Sequence, residues 1–148
     1  MNDDRNATLT AAEVMNASPR TCSRFSKVIE AVLIFKDEDC GMVPVVEEGK
    51  PIGVVTDRDV ALALATYADL VDRPIEGIMN TGIISVLPSA PVSEVVETMG
   101  RESVRRVLVV DEEEGLLRGV ISWKDVSGEL PDRAVGRVVS EIVESPAT

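Results

Sequence analysis

The stretch Gly53-Val54-Val55-Thr56-Asp57-Arg58-Asp59-Val60 decides the fold. Small and apolar residues end at a threonine, and an aspartate follows three places later. This pattern predicts a buried strand running directly into a capped helix start. Sixty-six residues further on, Gly119-Val120-Ile121-Ser122-Trp123-Lys124-Asp125-Val126 repeats the order of glycine, β-branched pair, hydroxyl, Asp and Val. Two such stretches in a chain of 148 residues point to a duplicated unit with a paired site.

Working outward, the duplication extends in both directions. Val43-Pro44-Val45-Val46 reads as a strand whose proline suits an edge or strand-start position. Glu47 to Pro51 is a polar hairpin turn, and Ile52 to Thr56 is the return strand. Val107-Leu108-Val109-Val110 matches the first of these strands at an offset of 64. A hairpin two residues longer, Asp111 to Leu117, accounts for the later offset of 66. Upstream, Val14-Met15-Asn16 is matched by Ile78-Met79-Asn80, again 64 apart. Thr10 should cap a short helix through Met15, with Glu13 completing a capping box. Arg20 to Ser23 is a short extended piece, and Ser26 caps a helix through about Asp37. The motif helix should run from Asp57 to about Tyr67. In the second copy, Ser85 to Pro88 is extended, Ser93 to about Arg101 is helical, and Pro74 occupies the first turn of the helix after the linker.

These elements predict an α/β (α+β) fold of two pseudo-symmetric repeats, each a small sheet with helices packed on it, sharing one core. The expected divisions are a tail over 1–9, repeat one over 10–70, a linker over 71–74 and repeat two over 75–130. Residues 131–148 are the last division. Val135, Val138, Val139 and Ile142 there lie at helical spacing, which predicts an added helix docked on the body or on a second subunit.

Composition narrows the function. Apolar residues make up 45 % and aromatics 3 %, so the core must be aliphatic. A net charge of −11 argues against nucleic acid, which demands a basic face, and against anionic membrane surfaces. No signal-type leader and no membrane-length apolar run is present, and a cytoplasmic protein is expected. With no histidine and only Cys22 and Cys40, a zinc site is not expected. Both cysteines read as reduced, partly buried residues. An enzyme is the weakest hypothesis: there is no phosphate-cradling glycine loop and no nucleophile with a base.

At this point the residues resemble a known family. Gly41-Met42-Val43-Pro44-Val45-Val46, the acidic turn and Gly53 to Val60 resemble the CBS domain, and the tandem looks like a Bateman module. The second copy departs in Leu108, where the family often has proline, and in Ser122-Trp123-Lys124-Asp125. The likeness covers residues 10–130 and is similar to stand-alone bacterial CBS pairs of the hypoxic-response type.

The resemblance implies a sensor of adenosine-containing ligands: AMP, ADP or ATP, with NAD and S-adenosylmethionine as further candidates. It implies two clefts between the repeats, no required cofactor, a homodimer and an unknown downstream protein. Thr56 and Ser122, with free N–H groups of the helix starts, would hold phosphate, and Asp59 and Asp125 the ribose hydroxyls. Arg58 and Lys124 lie inside the motifs. Arg105 and Arg106 stand where the family often places phosphate-binding basic residues, and the first copy has Gly41 and Met42 there. The clefts should therefore be unequal. Adenine would rest near Ser23, Val28, Cys40 and Gly41 in one cleft and near Leu87, Val92, Val104 and Arg105 in the other, with Val54 and Val120 as walls. An adenine pocket from one copy can pair with the motif of the other.

Simpler readings stand beside these. Both motifs can be plain helix caps, Arg105 and Arg106 can be a solvated pair, and Trp123 reads as a packing anchor. Cys40 leaves a redox-sensing option. A ligand-free dimerisation or docking protein is the alternative function.

Overall fold

The computed structural model describes residues 9–128. The tail over 1–8 and the helix expected over 131–143 lie outside the described residues. Of the described residues, 19–83 and 115–117 form one compact unit, and 9–18, 84–114 and 118–128 form the other. We call them the first-copy and second-copy units, after the motif each carries.

In the first-copy unit, helix α2 spans Val28–Glu38. Val28, Ala31 and Ile34 are its buried positions, at the three-residue spacing of one helical face. Its N-cap is Lys27 and not Ser26. The Ser26 hydroxyl instead accepts from the Ser23 N–H at 3.0 Å, while Glu30 reaches back to the Lys27 N–H at 2.6 Å. Strands β1 (Met42–Glu47) and β2 (Lys50–Thr56) pair antiparallel. Only Glu48 and Gly49 connect them, with φ of 53° and 81°. Two consecutive left-handed residues give the turn whose twist matches the strands, and the Gly at the second place tolerates it. Pro44 stands in the middle of β1, and its carbonyl accepts from the Cys22 N–H at 3.0 Å. Nitrogen and carbonyl of one strand residue face the same side. The missing N–H of Pro44 therefore faces the edge where only the single Cys22–Val45 bridge lies.

Helix α3 covers Asp57–Ala63, shorter than expected, and none of its residues is fully buried. Val60 and Ala63 pack on the core only partly buried, so little apolar burial holds its last turns. The chain then passes through two 3₁₀ turns, Leu70–Asp72 and Ile75–Gly77. Pro74 precedes the second as its N-cap, and the expected α-helix after the linker is this single 3₁₀ turn. The core is Cys22, Val28, Ala31, Ile34, Val43, Val45, Val55, Leu70 and Ile75.

In the second-copy unit, α1 (Ala11–Val14) carries the expected Thr10 cap, with the Thr10 N–H donating to Glu13 Oε1 at 3.0 Å. Strand β3 (Ser85–Val86) pairs parallel with β4 (Arg106–Val110), and β5 (Leu117–Ser122) completes a three-stranded sheet. Helix α4 (Val92–Glu102) buries six residues, including Val95, Val96 and Met99. Thr98 is buried among them, and its hydroxyl is satisfied by the Glu94 carbonyl at 2.9 Å. Helix α5 (Trp123–Ser127) follows β5. The core gathers Val107, Val109, Ile121 and Val126 with the buried face of α4, and Trp123 packs against it as an anchor.

Each unit completes itself with a segment that precedes the other repeat in sequence. Val54 and Asn80 exchange backbone hydrogen bonds of 2.9 and 2.8 Å, and Asn16 and Val120 exchange bonds of 2.9 and 3.1 Å. The glycine that opens each motif exists for this contact. A Cβ on Gly53 would sit 2.9 Å from Met79 Sδ and 3.0 Å from the Asn80 carbonyl oxygen. On Gly119 it would sit 2.6 Å from both the Asn16 carbonyl oxygen and Met15 Sδ. The recurring Met-Asn pair and the recurring glycine are thus two sides of one packing solution.

Candidate functional site

The candidate sites are the strand-to-helix corners, one in each unit. In the first-copy unit, β2 delivers Thr56 to the start of α3. The Thr56 N–H donates to Asp59 Oδ2 at 2.9 Å, and the Asp59 N–H donates to Thr56 Oγ1 at 3.1 Å. This is a reciprocal capping box in which Asp replaces the usual Glu. Two further helix-start donors are also taken. The Asp57 N–H goes to the Gly41 carbonyl at 3.1 Å, and the Arg58 N–H to Asp57 Oδ1 at 2.8 Å. The N–H groups of 57, 58 and 59 are therefore not free for a phosphate, which corrects that part of the sequence expectation. The cause is chemical: Asp57 and Thr56 are both strong local acceptors at the very place where donors emerge.

In the second-copy unit, β5 delivers Ser122 to α5. The Ser122 N–H donates to Asp125 Oδ2 at 2.8 Å, and the Ser122 hydroxyl donates to the same oxygen at 3.0 Å. The Trp123 N–H donates to the Arg105 carbonyl at 2.7 Å. Trp123 holds the place of Asp57 and has no carboxylate to occupy the next N–H. In both corners the Oδ1 atom of the aspartate has no protein partner among the described residues. Asp59 is half-buried and Asp125 exposed.

The two corner hydrogen bonds also fix an equivalence. Asp57 N–H to Gly41 and Trp123 N–H to Arg105 are the same bond in the two copies. Arg105 therefore stands where Gly41 does, Arg106 where Met42 does, and Lys124 where Arg58 does. Arg58, Arg105 and Lys124 are exposed and Arg106 half-buried. None of the four forms an ion pair among the described residues, although Arg118, beside Asp111 at 2.9 Å, does.

The adenine-lining expectations divide evenly between the units. Ser23, Val28, Cys40, Gly41 and Val54 belong to the first-copy unit, and Leu87, Val92, Val104, Arg105 and Val120 to the second. Val28 and Val92 are corrected: at 1 % and 3 % exposure they are turned into their cores and offer no surface to a ligand. The Ser23 hydroxyl accepts from the Phe25 N–H at 3.2 Å, and Cys40 Sγ lies 3.8 Å from the Ile34 carbonyl oxygen. Leu87 is 41 % exposed. Val104 packs half-buried on its core, and Val54 and Val120 hold the Asn pairings described above. The hydroxyl-x-x-Asp pattern does not mark Asp57 as a site residue. The sequence signal for it is a second carboxylate inside the motif, with Trp123 in its place in the other copy.

Cys22 is buried, and burial raises its thiol pKa against a smaller lowering by its hydrogen bond with Ser26. Among the described residues, no group of three or more His, Cys, Asp or Glu is placed to hold a metal ion. No helix among them is long and apolar enough to cross a membrane.

A duplicated α/β unit, each copy ending in a hydroxyl-x-x-Asp corner, defines a tandem-repeat protein. The chain belongs to the CBS domain family, which it matches twice, over residues 11–66 and 75–132. It is 26 % identical over 131 residues to the CBS domain-containing protein YhcV of Bacillus subtilis, covering 88 % of this chain and 92 % of that one. Among solved structures it is similar to the CBS domain protein PAE2072 from Pyrobaculum aerophilum complexed with AMP. There the TM-score is 0.73 and the identity 27 %, covering 93 % of this chain and 100 % of that one. It is also similar to the CBS domain pair of protein MJ0100 in complex with 5′-methylthioadenosine and S-adenosyl-L-methionine. That match has a TM-score of 0.71 and 26 % identity, covering 81 % of this chain and 98 % of that one.

Proposed function

We propose that the chain is a non-catalytic regulatory module that binds an adenosine-containing ligand at each corner and signals by a shift between conformations. AMP, ADP and ATP are the leading ligands, with NAD and S-adenosylmethionine as further candidates. The supporting observation is the duplicated aspartate, held by its own cap through Oδ2 and with Oδ1 unpartnered among the described residues. A carboxylate oxygen fixed in this way is an acceptor ready for ribose hydroxyls. That relatives were solved with AMP in one case and with two adenosyl compounds in another supports the same class. A differential affinity of ~1–3 kcal/mol between two states is enough for such signalling.

Thermal denaturation with AMP, ADP, ATP, NAD and S-adenosylmethionine tests the reading. A ligand at a hundred times its Kd stabilises by about 2.7 kcal/mol. No shift with any of the five at millimolar concentration refutes it. With a binding ligand in hand, Asp59→Asn and Asp125→Asn should each remove one site from the stoichiometry.

A second reading, a dimerisation or docking protein, is favoured by one observation. Helix α3 exposes Leu62, and Leu64 follows at its end, at 61 % and 63 % exposure, with Leu33 of α2 at 48 %. A homodimer that buries these leucines would lose its association in Leu62→Ser/Leu64→Ser, read by sedimentation.

A further inference from the structure

We propose that the second copy's hairpin is a latch that couples the two corners. Leu116 and Leu117, seated on Gly49 at the first copy's turn, join the opening ends of the strands that carry Thr56 and Ser122, so occupancy of one corner alters the other. The coupling rests on the adenosine-sensing function above.

The two hairpins are unlike. Glu48 and Gly49 alone close the first, whereas residues 111–116 close the second, between β4 and β5. The extra length is folded and not slack. Asp111, its side chain 14 % exposed, uses both carboxylate oxygens: Oδ1 accepts from the Glu114 N–H at 2.7 Å and Oδ2 from Arg118 Nε at 2.9 Å. Gly115 then turns the chain at a φ of 71°, a left-handed angle that glycine takes without strain. The next two residues reach the first copy's turn. The Leu117 N–H donates to the Gly49 carbonyl at 2.9 Å. Leu116 lies half-buried over Gly49, its Cδ2 3.0 Å from where a Cβ would stand. Accordingly, Gly115–Leu117 belong to the first-copy unit, while the residues on either side of them belong to the second-copy unit. Gly49 is required twice, by its φ of 81° and by Leu116.

Position gives this contact its leverage. Strand β2 starts at Lys50, next to Gly49, and ends at Thr56. Strand β5 starts at Leu117 and ends at Ser122. The latch thus holds the opening end of each motif strand, and each strand closes at the hydroxyl of its corner. A strand rises about 3.3 Å per residue and is already near full extension, so a displacement at one end appears at the other. A ligand that pulls on Asp59 or Asp125 pulls through the cap on Thr56 or Ser122, and so along the strand to Gly49 or Leu117. One hydrogen bond and one packed side chain can be made or released together, the kind of two-state element that carries coupling between sites. A contact that only braced the hairpin would stabilise the chain and relay nothing.

The test uses Trp123, the single tryptophan of the chain, which opens α5 at the second-copy corner. In the full chain carrying Asp125→Asn, AMP and S-adenosylmethionine are left only the first-copy corner. Calorimetry reads binding there, and Trp123 fluorescence reads what reaches the other corner. A saturable fluorescence change is expected, with the same midpoint as the calorimetric isotherm. Adding Leu116→Ser should remove most of that change and leave one equivalent bound. Leu116→Met, which refills the space over Gly49, should keep it. Leu116→Ala replaces Leu116→Ser if the latter fails to fold. A fluorescence response that survives Leu116→Ser or Leu116→Ala, or no response with Leu116 in place, overturns the coupling and leaves adenosine sensing standing. Loss of all binding in Asp125→Asn does the same, because a single working corner has nothing to couple. Absence of binding by either compound to the native chain overturns both.

Discussion

The two copies solve the same packing problem with different strictness. The first-copy unit has a two-stranded sheet with a single bridge from Cys22, whereas the second-copy unit has a three-stranded sheet. One residue accounts for much of this. Leu108 donates its N–H to the Ile84 carbonyl at 3.0 Å, and Pro44, at the equivalent place, has none to donate. The helices follow the sheets: α4 buries six residues and α2 three. At the helix after the motif, Val126 is 0 % exposed while α3 has no buried residue. Duplication therefore preserved topology and let one copy loosen. The tighter unit carries Arg105, Arg106 and Lys124, and the looser one Asp57 and Asp59.

Exchanging the strand residues should break this comparison most forcefully. Leu108→Pro removes the bond to Ile84, places a ring in a three-stranded sheet and strips a buried leucine, and should be the largest loss of the series. Pro44→Leu restores a strand N–H but puts a larger side chain at a buried position of β1, and should cost less than Leu108→Pro. Chemical denaturation of the pair measures both, and equal costs would show that the edge assignment is wrong.

The glycines come next. Gly119→Ala drives a Cβ into a backbone oxygen 2.6 Å away, whereas Gly53→Ala meets first the end of a flexible methionine. We expect about 3 kcal/mol for the first and about 1–2 kcal/mol for the second, the range of overpacked sites. A milder effect at 119 than at 53 would contradict the geometry.

The caps are a smaller contrast. Thr56→Ala loses an acceptor for a backbone N–H and should cost about 1 kcal/mol. Ser122→Ala loses a bond to a carboxylate that keeps the Ser122 N–H, and should cost less. Urea midpoints of the two variants decide it.

The smallest effect concerns Cys22, whose equivalent is Val86. The Cys22 thiol is raised above 9.0 by burial, so the folded chain holds its proton more tightly than the unfolded chain. Stability is unaffected below that pH and declines as pH rises through the folded value. Cys22→Val should flatten this alkaline decline. A thiol reagent should label Cys40 before Cys22, and the reverse order would show that Cys22 is not buried.

Much of this fold could be read from the chain. The Glu48-Gly49 turn, the two motif corners and the Thr10 cap are local chemistry, set by residues within a few places of each other. Other features depend on partners far along the chain. The α-helix expected to reach Tyr67 ends at Ala63, with Val60 and Ala63 only partly buried against the core. Ser26 lost the cap to Lys27 because its hydroxyl is engaged by Ser23. The motif donors expected to be free are consumed by Asp57 and Thr56, a competition visible only once angles and distances are known. The Met-Asn pairs were recognisable as repeats, but nothing local in Met15-Asn16 says that its glycine is Gly119.

That last pairing sets an order of assembly. From Asn80 back to Val54 the chain closes a loop about a quarter as long as the one from Asn16 to Val120. By loop-closure entropy alone the longer closure costs about 1.2 kcal/mol more. On a ribosome, the partners Val54 and Asn80 emerge close together. Asn16 emerges early and must wait, with its segment unpaired, until Val120 is made. The second-copy unit is thus the tighter of the two once formed and the later of the two to form.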